Sequence, residues 1–312
     1  MGANETIDRN ANLLSELRGR IGRFSAKQPD WDAFPSNRGF PELSRAQIRY
    51  VGAGGSPKVS DPSTLKAEHF TLSLVLLPTG NYAASHVHDV EEAFFVVQGV
   101  LTVASDFDGK IVKSRLGPRD MLLNEPGRPH GFLNDGVEPV LMAIMVANIP
   151  GAPVAIRYTC HPKDFGSEVA RTFGGVDDAD RHDVDRWITR YSQARVERDA
   201  AGISKLTYIG EGGAPAGRFR KELVHVPLGS AVAAYRQDVE DVYFVTRGCL
   251  TVTWEEDGAV LEERLGPRDA VFNPAGRAHG FRNEGIEDVE MLLISGRPES
   301  AGIDQRNAVP AA

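Results

Sequence analysis

The sequence predicts an all-β protein that contains one barrel or sandwich twice, and two observations lead to this fold class. The first is an internal repeat. When the chain is shifted against itself by 149 residues, segment 80–103 aligns with 229–252 and segment 115–136 aligns with 264–285 without a gap. The second is the pattern inside each copy, where short β-rich runs alternate with clusters of Gly, Pro, Asn and Asp. Many short strands without intervening helices are typical of a sandwich or barrel.

The two copies are placed at 45–150 and 203–299, because RLGPRD and HGF recur intact in both. An Asp-Gly pair stands at the same place in each copy and predicts a hairpin turn. Three runs of the first copy are predicted strands: FTLSLVLL (70–77), AFFVVQG (93–99) and VLMAIMVA (140–147).

The remaining segments show helical rather than strand spacing. Residues 1–44 form an N-terminal arm with apolar residues at helical intervals over 6–27. Residues 151–202 form a linker, and a helix is predicted over 176–200. We expect one face of that helix to carry Val184, Trp187, Ile188 and Tyr191. The tail, 300–312, is predicted to be irregular.

Composition excludes several classes of function. The chain has 312 residues and a formal net charge of -8, which disfavours binding to nucleic acid or to an anionic membrane. Two cysteines exclude a disulfide scaffold and a thiolate zinc site. The N-terminus lacks the pattern of a signal peptide, and no run approaches the ~18 apolar residues of a membrane span. We therefore expect a cytoplasmic protein with a small-molecule partner.

The first copy carries a candidate metal site. His86 and His88 alternate on a predicted strand, so both imidazoles point to the same face. Glu92 follows after a turn, and His130 comes from a distant segment behind a Pro-Gly turn. Three imidazoles and a carboxylate suit a divalent first-row metal such as Fe(II), Mn(II), Ni(II), Cu(II) or Zn(II). In an octahedral site, two positions would stay open for substrate, dioxygen or water.

The spacing of these residues resembles a known pattern. The stretch Gly80-x5-His86-x-His88-x3-Glu92-x6-Gly99 resembles the first motif of the cupin superfamily at every position. Pro126-Gly127-x-x-His130-x3-Asn134 resembles the second motif, with Glu125 where the family usually has proline. The resemblance implies a bicupin: tandem jelly-roll (double-stranded β-helix) barrels with an N-terminal helical arm and a helical linker.

The second copy lacks the ligand pattern. Tyr235, Gln237 and Asp241 replace His86, His88 and Glu92, whereas His279 stands opposite His130. One imidazole and an amide match a first-row metal poorly. We expect one metal per chain and a structural second barrel, with a separate ligand pocket as the alternative.

Strand parity predicts which side chains surround the metal. Phe94 and Phe132 lie on the inward faces and would form an apolar chamber for substrate, or equally a barrel core. Arg128 could anchor a substrate carboxylate through its guanidinium. Its counterpart Arg277 in the second copy favours a structural role instead.

Three functions remain open. The resemblance to bicupin ring-cleaving dioxygenases of the gentisate, hydroxynaphthoate and flavonol-cleaving types implies an Fe(II) dioxygenase for a small aromatic or enolic substrate. In that reaction Glu92 could act both as a ligand and as a base. The alternatives are a metal-dependent isomerase, decarboxylase or lyase for a small oxo-acid or sugar acid, and a non-enzymatic binding protein. We also expect a homodimer, in which the arm covers a strand edge across a two-fold axis.

Overall fold

The computed structural model describes residues 3–297 except 55, 57–61, 63, 67, 108, 150–155, 161 and 174–185. The described chain divides into two compact units. One contains the described residues of 28–194 and 211–218, and the other contains those of 1–27, 195–210 and 219–301. No helix among the described residues is long and apolar enough to cross a membrane.

Barrel 1 belongs to the unit that contains residues 28–194. Its strands, in chain order, are β2 (Ala46–Val51), β3 (Leu72–Leu77), β4 (Tyr82–Val87), β5 (Glu92–Gln98), β6 (Leu101–Phe107), β7 (Lys110–Leu116), β8 (Met121–Asn124), β9 (His130–Leu133), β10 (Val140–Val146), β11 (Arg157–Tyr158) and β12 (Ile188–Thr189). They form two sheets with the orders β12-β8-β5-β10-β3-β2 and β11-β4-β9-β6-β7. The strands predicted over 70–77, 93–99 and 140–147 are present as β3, β5 and β10.

Barrel 2 repeats this architecture. Its strands are β1 (Ile21–Gly22), β13 (Val196–Arg198), β14 (Ser204–Ile209), β15 (Phe219–Val226), β16 (Ala231–Tyr235), β17 (Asp241–Arg247), β18 (Leu250–Glu256), β19 (Ala259–Leu265), β20 (Ala270–Asn273), β21 (Ala278–Arg282) and β22 (Val289–Gly296). The sheet orders are β1-β20-β17-β22-β15-β14-β13 and β16-β21-β18-β19. Apolar side chains from both sheets meet in one core, which includes Tyr243, Trp254, Phe281 and Met291. The predicted fold class, tandem all-β barrels, is confirmed.

The helical segments differ from their predicted bounds. Helix α1 spans Ala3–Gly19, so the helix predicted over 6–27 ends eight residues early, and the chain continues into β1. Helix α2 spans Phe165–Phe173, a part of the linker for which no helix was predicted. The helix predicted over 176–200 is wrong where it can be checked, since Ile188 begins strand β12. Residues 176–185, with Val184, lie outside the described residues.

The N-terminal arm packs on a barrel of its own chain. Leu17 is fully buried in the core of barrel 2, and Arg18 donates a 2.6 Å hydrogen bond to Glu263 on β19. A helix held in this way already covers apolar surface without a second copy of the chain. The homodimer therefore remains a prediction that does not depend on exchange of this arm.

Two short segments with similar sequences close one sheet edge in each barrel. Edge segment 1 is residues 21–25 (IGRFS), and edge segment 2 is residues 188–192 (ITRYS). Segment 1 pairs through β1 with β20 of barrel 2, and segment 2 pairs through β12 with β8 of barrel 1. Each segment therefore covers backbone groups that an open edge would expose.

Equivalent aspartates in the two barrels hold the edge segments through the same kinds of contact. In barrel 1, Asp120 accepts hydrogen bonds from the Arg190 guanidinium at 3.0 Å and from the Tyr191 amide at 3.0 Å. The Arg119 guanidinium lies 5.0 Å from the centre of the Tyr191 ring. These contacts give Arg119 and Asp120 of the RLGPRD repeat a role beyond the turn that their position implies.

Barrel 2 repeats the contacts with edge segment 1. Asp269 accepts hydrogen bonds from the Arg23 guanidinium at 3.1 Å and from the Phe24 amide at 2.9 Å. Arg268 lies 5.1 Å from the Phe24 ring centre. The duplicated unit therefore includes an edge segment, and each edge segment precedes one barrel in sequence but completes the other.

We predict that Arg190→Ala and Arg23→Ala each loosen one barrel alone. Each change leaves a half-buried aspartate without its charged donor, which should lower the free energy of local unfolding by about 1–3 kcal/mol. Hydrogen exchange followed by mass spectrometry should show faster exchange in residues 121–124 for Arg190→Ala and in residues 270–273 for Arg23→Ala.

The control is Arg247→Ala, which removes an exposed ion pair with Glu287. Such a pair contributes about 0–1 kcal/mol, so exchange should hardly change. If the Arg190 and Arg23 variants behaved like this control, the edge segments would not hold the barrels together.

Candidate metal centre

Four predicted ligands meet inside barrel 1. His86 lies on β4, His88 directly follows β4, Glu92 begins β5, and His130 begins β9. Their ligand atoms all lie within 4.8 Å of one another. All four side chains are buried, with exposed fractions of 5% or less. The structure therefore brings together every residue of the predicted ligand set.

Strand pairing and a tight turn place these side chains. His86 and His130 are direct partners in the antiparallel pair of β4 and β9, so their side chains share one face. The amide of Gly127 donates a 2.7 Å hydrogen bond to the carbonyl of His88. Gly127 has φ 75°, a left-handed conformation that glycine adopts without strain. This turn ties the segment before His130 to the segment that carries His88.

Backbone carbonyls determine which ring nitrogens face the centre. The Nδ1 atoms of His86 and His130 lie 2.8 Å from the carbonyl oxygens of Ala84 and Arg128, respectively. A carbonyl can only accept, so each Nδ1 carries a proton, which leaves each Nε2 facing Glu92 as the nitrogen that could bind a metal. The Nε2 atoms of His86, His88 and His130 lie 3.9, 3.4 and 2.9 Å from Oε2 of Glu92.

The protonation states agree with metal ligation. Burial lowers the pKa of His86 well below its usual value, and the neighbouring His130 and His88 lower it further. Burial alone would raise the pKa of Glu92, but His88 and His130 together hold that pKa well below its usual value. A neutral imidazole and an ionised carboxylate are the forms that bind a metal. This buried set of nitrogen and oxygen donors fits a divalent first-row metal.

The two predicted chamber residues lie where strand parity places them. Phe94 is fully buried, and its ring centre lies 5.9 Å from that of His130. Phe132 is also buried, with its ring centre 6.5 Å from His86 and 5.3 Å from Phe94. These two rings form an apolar wall beside the ligands, and their contact with substrate remains a prediction.

The structure gives Arg128 other partners. Its guanidinium pairs with Glu125, donates to the carbonyl of Asp106 at 3.3 Å and lies 4.0 Å from the ring centre of Phe107. The carbonyl of Arg128 orients His130. The predicted role as a carboxylate anchor therefore has no support in this arrangement, and the structural alternative fits better.

Sequence reasoning missed Arg45, a buried guanidinium near the centre. Arg45 is 4% exposed and directly precedes β2. Its Cζ lies 4.1 Å from the Phe34 ring centre and 5.7 Å from that of Phe132. Burial lowers the pKa of Arg45, while Tyr158 and then Glu92 raise it. Arg45 lies outside the repeated motifs, so no sequence signal distinguished it from a surface arginine.

Barrel 2 holds a hydrogen-bonded network at the corresponding positions. Asp241 Oδ2 accepts from Tyr235 at 3.0 Å, from Gln237 at 2.6 Å and from His279 at 3.0 Å. The hydroxyls of Tyr235 and Tyr243 lie 2.9 Å apart. Burial raises the pKa of both tyrosines, so both hydroxyls keep their protons. In barrel 2, polar donors therefore stabilise the buried carboxylate of Asp241, whereas its counterpart in barrel 1, Glu92, faces three histidines.

Comparison with known proteins identifies the class. Each barrel is a double-stranded β-helix, and the cupin domain model matches residues 73–147 and 222–295. The chain is therefore a bicupin, with two cupin domains in tandem. A search of curated proteins found no match.

Solved structures confirm this fold at low sequence identity. The oxalate decarboxylase of Lactobacillus farciminis in complex with formate matches with TM-score 0.62 and 13% identity, over 89% of this chain and 86% of that chain. A mutant of Bacillus subtilis oxalate decarboxylase matches with TM-score 0.60 and 15% identity, over 88% and 76%. AerE from Microcystis aeruginosa matches with TM-score 0.55 and 14% identity, over 87% and 97%.

We predict that His130→Ala removes the metal and that His279→Ala does not. Losing one of four ligands should weaken metal binding by at least about 100-fold, because metal affinity depends on ligand number and geometry. Elemental analysis of anaerobically purified protein should find about one divalent metal per chain in the parent and in His279→Ala. Two metals per chain, one lost with His279, would show that barrel 2 is also a metal site.

Proposed function

We propose that this bicupin is a metal-dependent enzyme that acts on a small carboxylic acid, with carbon–carbon lyase chemistry such as decarboxylation. The observation that carries the proposal is the buried guanidinium of Arg45, which lies 5.7 Å from the ring centre of Phe132 and whose pKa is raised by the nearby Glu92. Decarboxylation and lyase chemistry was the alternative that the sequence left open beside the dioxygenase.

Charge explains why a carboxylate suits this site. A divalent metal held by three neutral histidines and Glu92 leaves a net charge of about +1, to which Arg45 adds a further positive charge. Buried cations of this kind favour an anionic ligand, and the arginine fork matches a carboxylate geometrically. Tyr158 lies between this position and the ligands, since it raises the pKa of Arg45 and its ring centre lies 6.2 Å from that of His86.

The proposed roles follow from these positions. His86, His88, Glu92 and His130 would hold the metal, which would supply Lewis-acid polarisation of a substrate carbonyl. Arg45 binds the carboxylate, and the rings of Phe94 and Phe132 keep water from the reacting bond. When the bond to the departing carboxyl carbon breaks, carbon dioxide leaves. The electron pair stays on the remaining fragment, which then takes up one proton. No oxidant is consumed.

Similar proteins also favour decarboxylation of a small carboxylic acid. The solved structures that match over most of the chain include oxalate decarboxylases, whose named substrate is a small dicarboxylic acid. Another matching structure is that of the Bacillus subtilis oxalate decarboxylase, which has Mn(II) centres. We therefore propose Mn(II) together with Fe(II) as the leading metals, ahead of Ni(II), Cu(II) and Zn(II).

An Fe(II) dioxygenase is the second candidate. The aromatic wall of Phe94 and Phe132 beside the ligands favours it, since such a wall suits an aromatic or enolic substrate. The two candidates differ in one measurable quantity, because only the dioxygenase consumes oxygen. In that reaction Glu92 would be both ligand and base, as the resemblance implies.

The first experiment combines metal analysis with a substrate screen. Anaerobically purified protein is analysed for metals and then assayed with small oxo-, hydroxy- and dicarboxylic acids and with phenolic acids, recording carbon dioxide and oxygen. Release of carbon dioxide without oxygen uptake supports the lyase. Oxygen uptake with a phenolic acid would establish the dioxygenase instead. Turnover of neither group, with metal bound, would contradict both and leave a binding protein.

We predict that Arg45→Met lowers kcat/KM for the carboxylic acid by at least about tenfold and leaves the metal content unchanged. The variant keeps an unbranched side chain but loses the charge-assisted pair with substrate. Arg128→Met is the matched control, because that guanidinium is engaged by Glu125 and Phe107. If kcat/KM fell more in Arg128→Met than in Arg45→Met, Arg128 rather than Arg45 would be the residue that binds the carboxylate.

A further inference from the structure

The two barrels carry different side chains at an inward-facing position beside the histidine that both retain, His130 in barrel 1 and His279 in barrel 2. In barrel 2, Trp254 on β18 is the direct partner of His279 on β21. In barrel 1, Ser105 on β6 is the direct partner of His130 on β9. Direct partners in an antiparallel pair share one face, so the side chains of Trp254 and Ser105 point toward the barrel interior, as the histidines do. Barrel 1 therefore carries a small hydroxyl side chain where barrel 2 carries an indole.

The indole of Trp254 occupies the space beside an asparagine. Trp254 is 1% exposed and belongs to the core of barrel 2. Its Nε1 donates a 2.8 Å hydrogen bond to Oδ1 of Asn273. Barrel 2 thus fills its interior with its own side chains at this point.

The equivalent asparagine of barrel 1 has no such partner. Asn124 on β8 is 2% exposed and pairs across the sheet with Glu92 on β5. Neither its amide nitrogen nor its carbonyl oxygen forms a hydrogen bond with the described part of the chain. Leaving a buried polar group unpaired is costly, so such a group in a native interior calls for an explanation.

We propose that Ser105 and Asn124 form a substrate subsite in barrel 1, which receives a second oxygen-bearing group of the substrate. The amide of Asn124 offers both a donor and an acceptor, so it fits a hydroxyl or a carbonyl group. Ser105 leaves room for that group where Trp254 closes barrel 2. This inference rests on the proposed function, and it narrows the substrate class to small carboxylic acids that carry a further hydroxyl or oxo group.

The test uses binding rather than turnover. Tartrate and succinate are four-carbon dicarboxylates that differ in their hydroxyl groups, and both are titrated by calorimetry into the metal-loaded protein. Asn124→Leu keeps the shape of the side chain but removes both hydrogen-bonding atoms. We expect its Kd for tartrate to rise by at least about tenfold, its Kd for succinate to change by less than about twofold, and its metal content to stay the same.

A matched control in barrel 2 and a second variant in barrel 1 test whether the effect on tartrate binding is specific to the proposed subsite. Asn273→Leu changes the same position of barrel 2 and should leave tartrate binding unchanged. Ser105→Trp introduces into barrel 1 the side chain of barrel 2 and should abolish binding of tartrate while the metal content stays the same. The proposal is overturned if Asn124→Leu binds tartrate like the parent, if it weakens both ligands equally, or if the parent binds neither ligand.

Arg45→Met separates this inference from the proposed function. If Arg45→Met no longer binds tartrate but Asn124→Leu still does, the carboxylate site is supported and the proposed subsite is wrong. If Asn124→Leu loses tartrate and Arg45→Met does not, the subsite stands and the carboxylate anchor is wrong.

Discussion

The buried carboxylate of Glu92 is the constraint on which the architecture of barrel 1 depends. An ionised carboxylate removed from water is costly unless partners compensate for the lost hydration. Three imidazoles from two strands and the following turn place their Nε2 atoms within 3.9 Å of one oxygen of Glu92, so a cation held among these donors would compensate for the charge of the carboxylate. Meeting this requirement aligns β4, β5 and β9 around one point. The same arrangement creates a set of donors that suits a metal ion.

Barrel 2 meets the same requirement in another way. Asp241 receives donors from a tyrosine, a glutamine and a histidine, so hydrogen bonds replace the convergence of three imidazoles. The scaffold is conserved: Asn134 and Asn283 each donate to two backbone carbonyls at the same places of the two barrels. The barrels therefore differ chiefly in inward-facing side chains, which can change without altering the backbone ladder. A duplicated fold can in this way keep one reactive interior and fill the other.

The edge segments add a dependence between distant parts of the chain. Each barrel needs a two-residue strand to cover β8 or β20, and the aspartate of RLGPRD holds that strand by accepting from an arginine and a backbone amide. The strand that completes barrel 2 comes from the N-terminal arm, and the strand that completes barrel 1 comes from the linker. Neither copy of the repeat is therefore complete without residues that flank the other copy.

By itself, the sequence determined the fold class, the duplication and the four candidate ligands, because these depend on local spacing. The alternation of His86 and His88 and the turn before His130 are visible in a short window. The tertiary structure alone decided the path of residues 186–200, since Trp187 and Ile188 have a spacing that suits a helix but lie beside the open edge of β8. It also decided that Arg45 is buried near Glu92 while Arg128 pairs with Glu125. Such long-range contacts have no local signature, because burial and partners depend on segments far away in sequence.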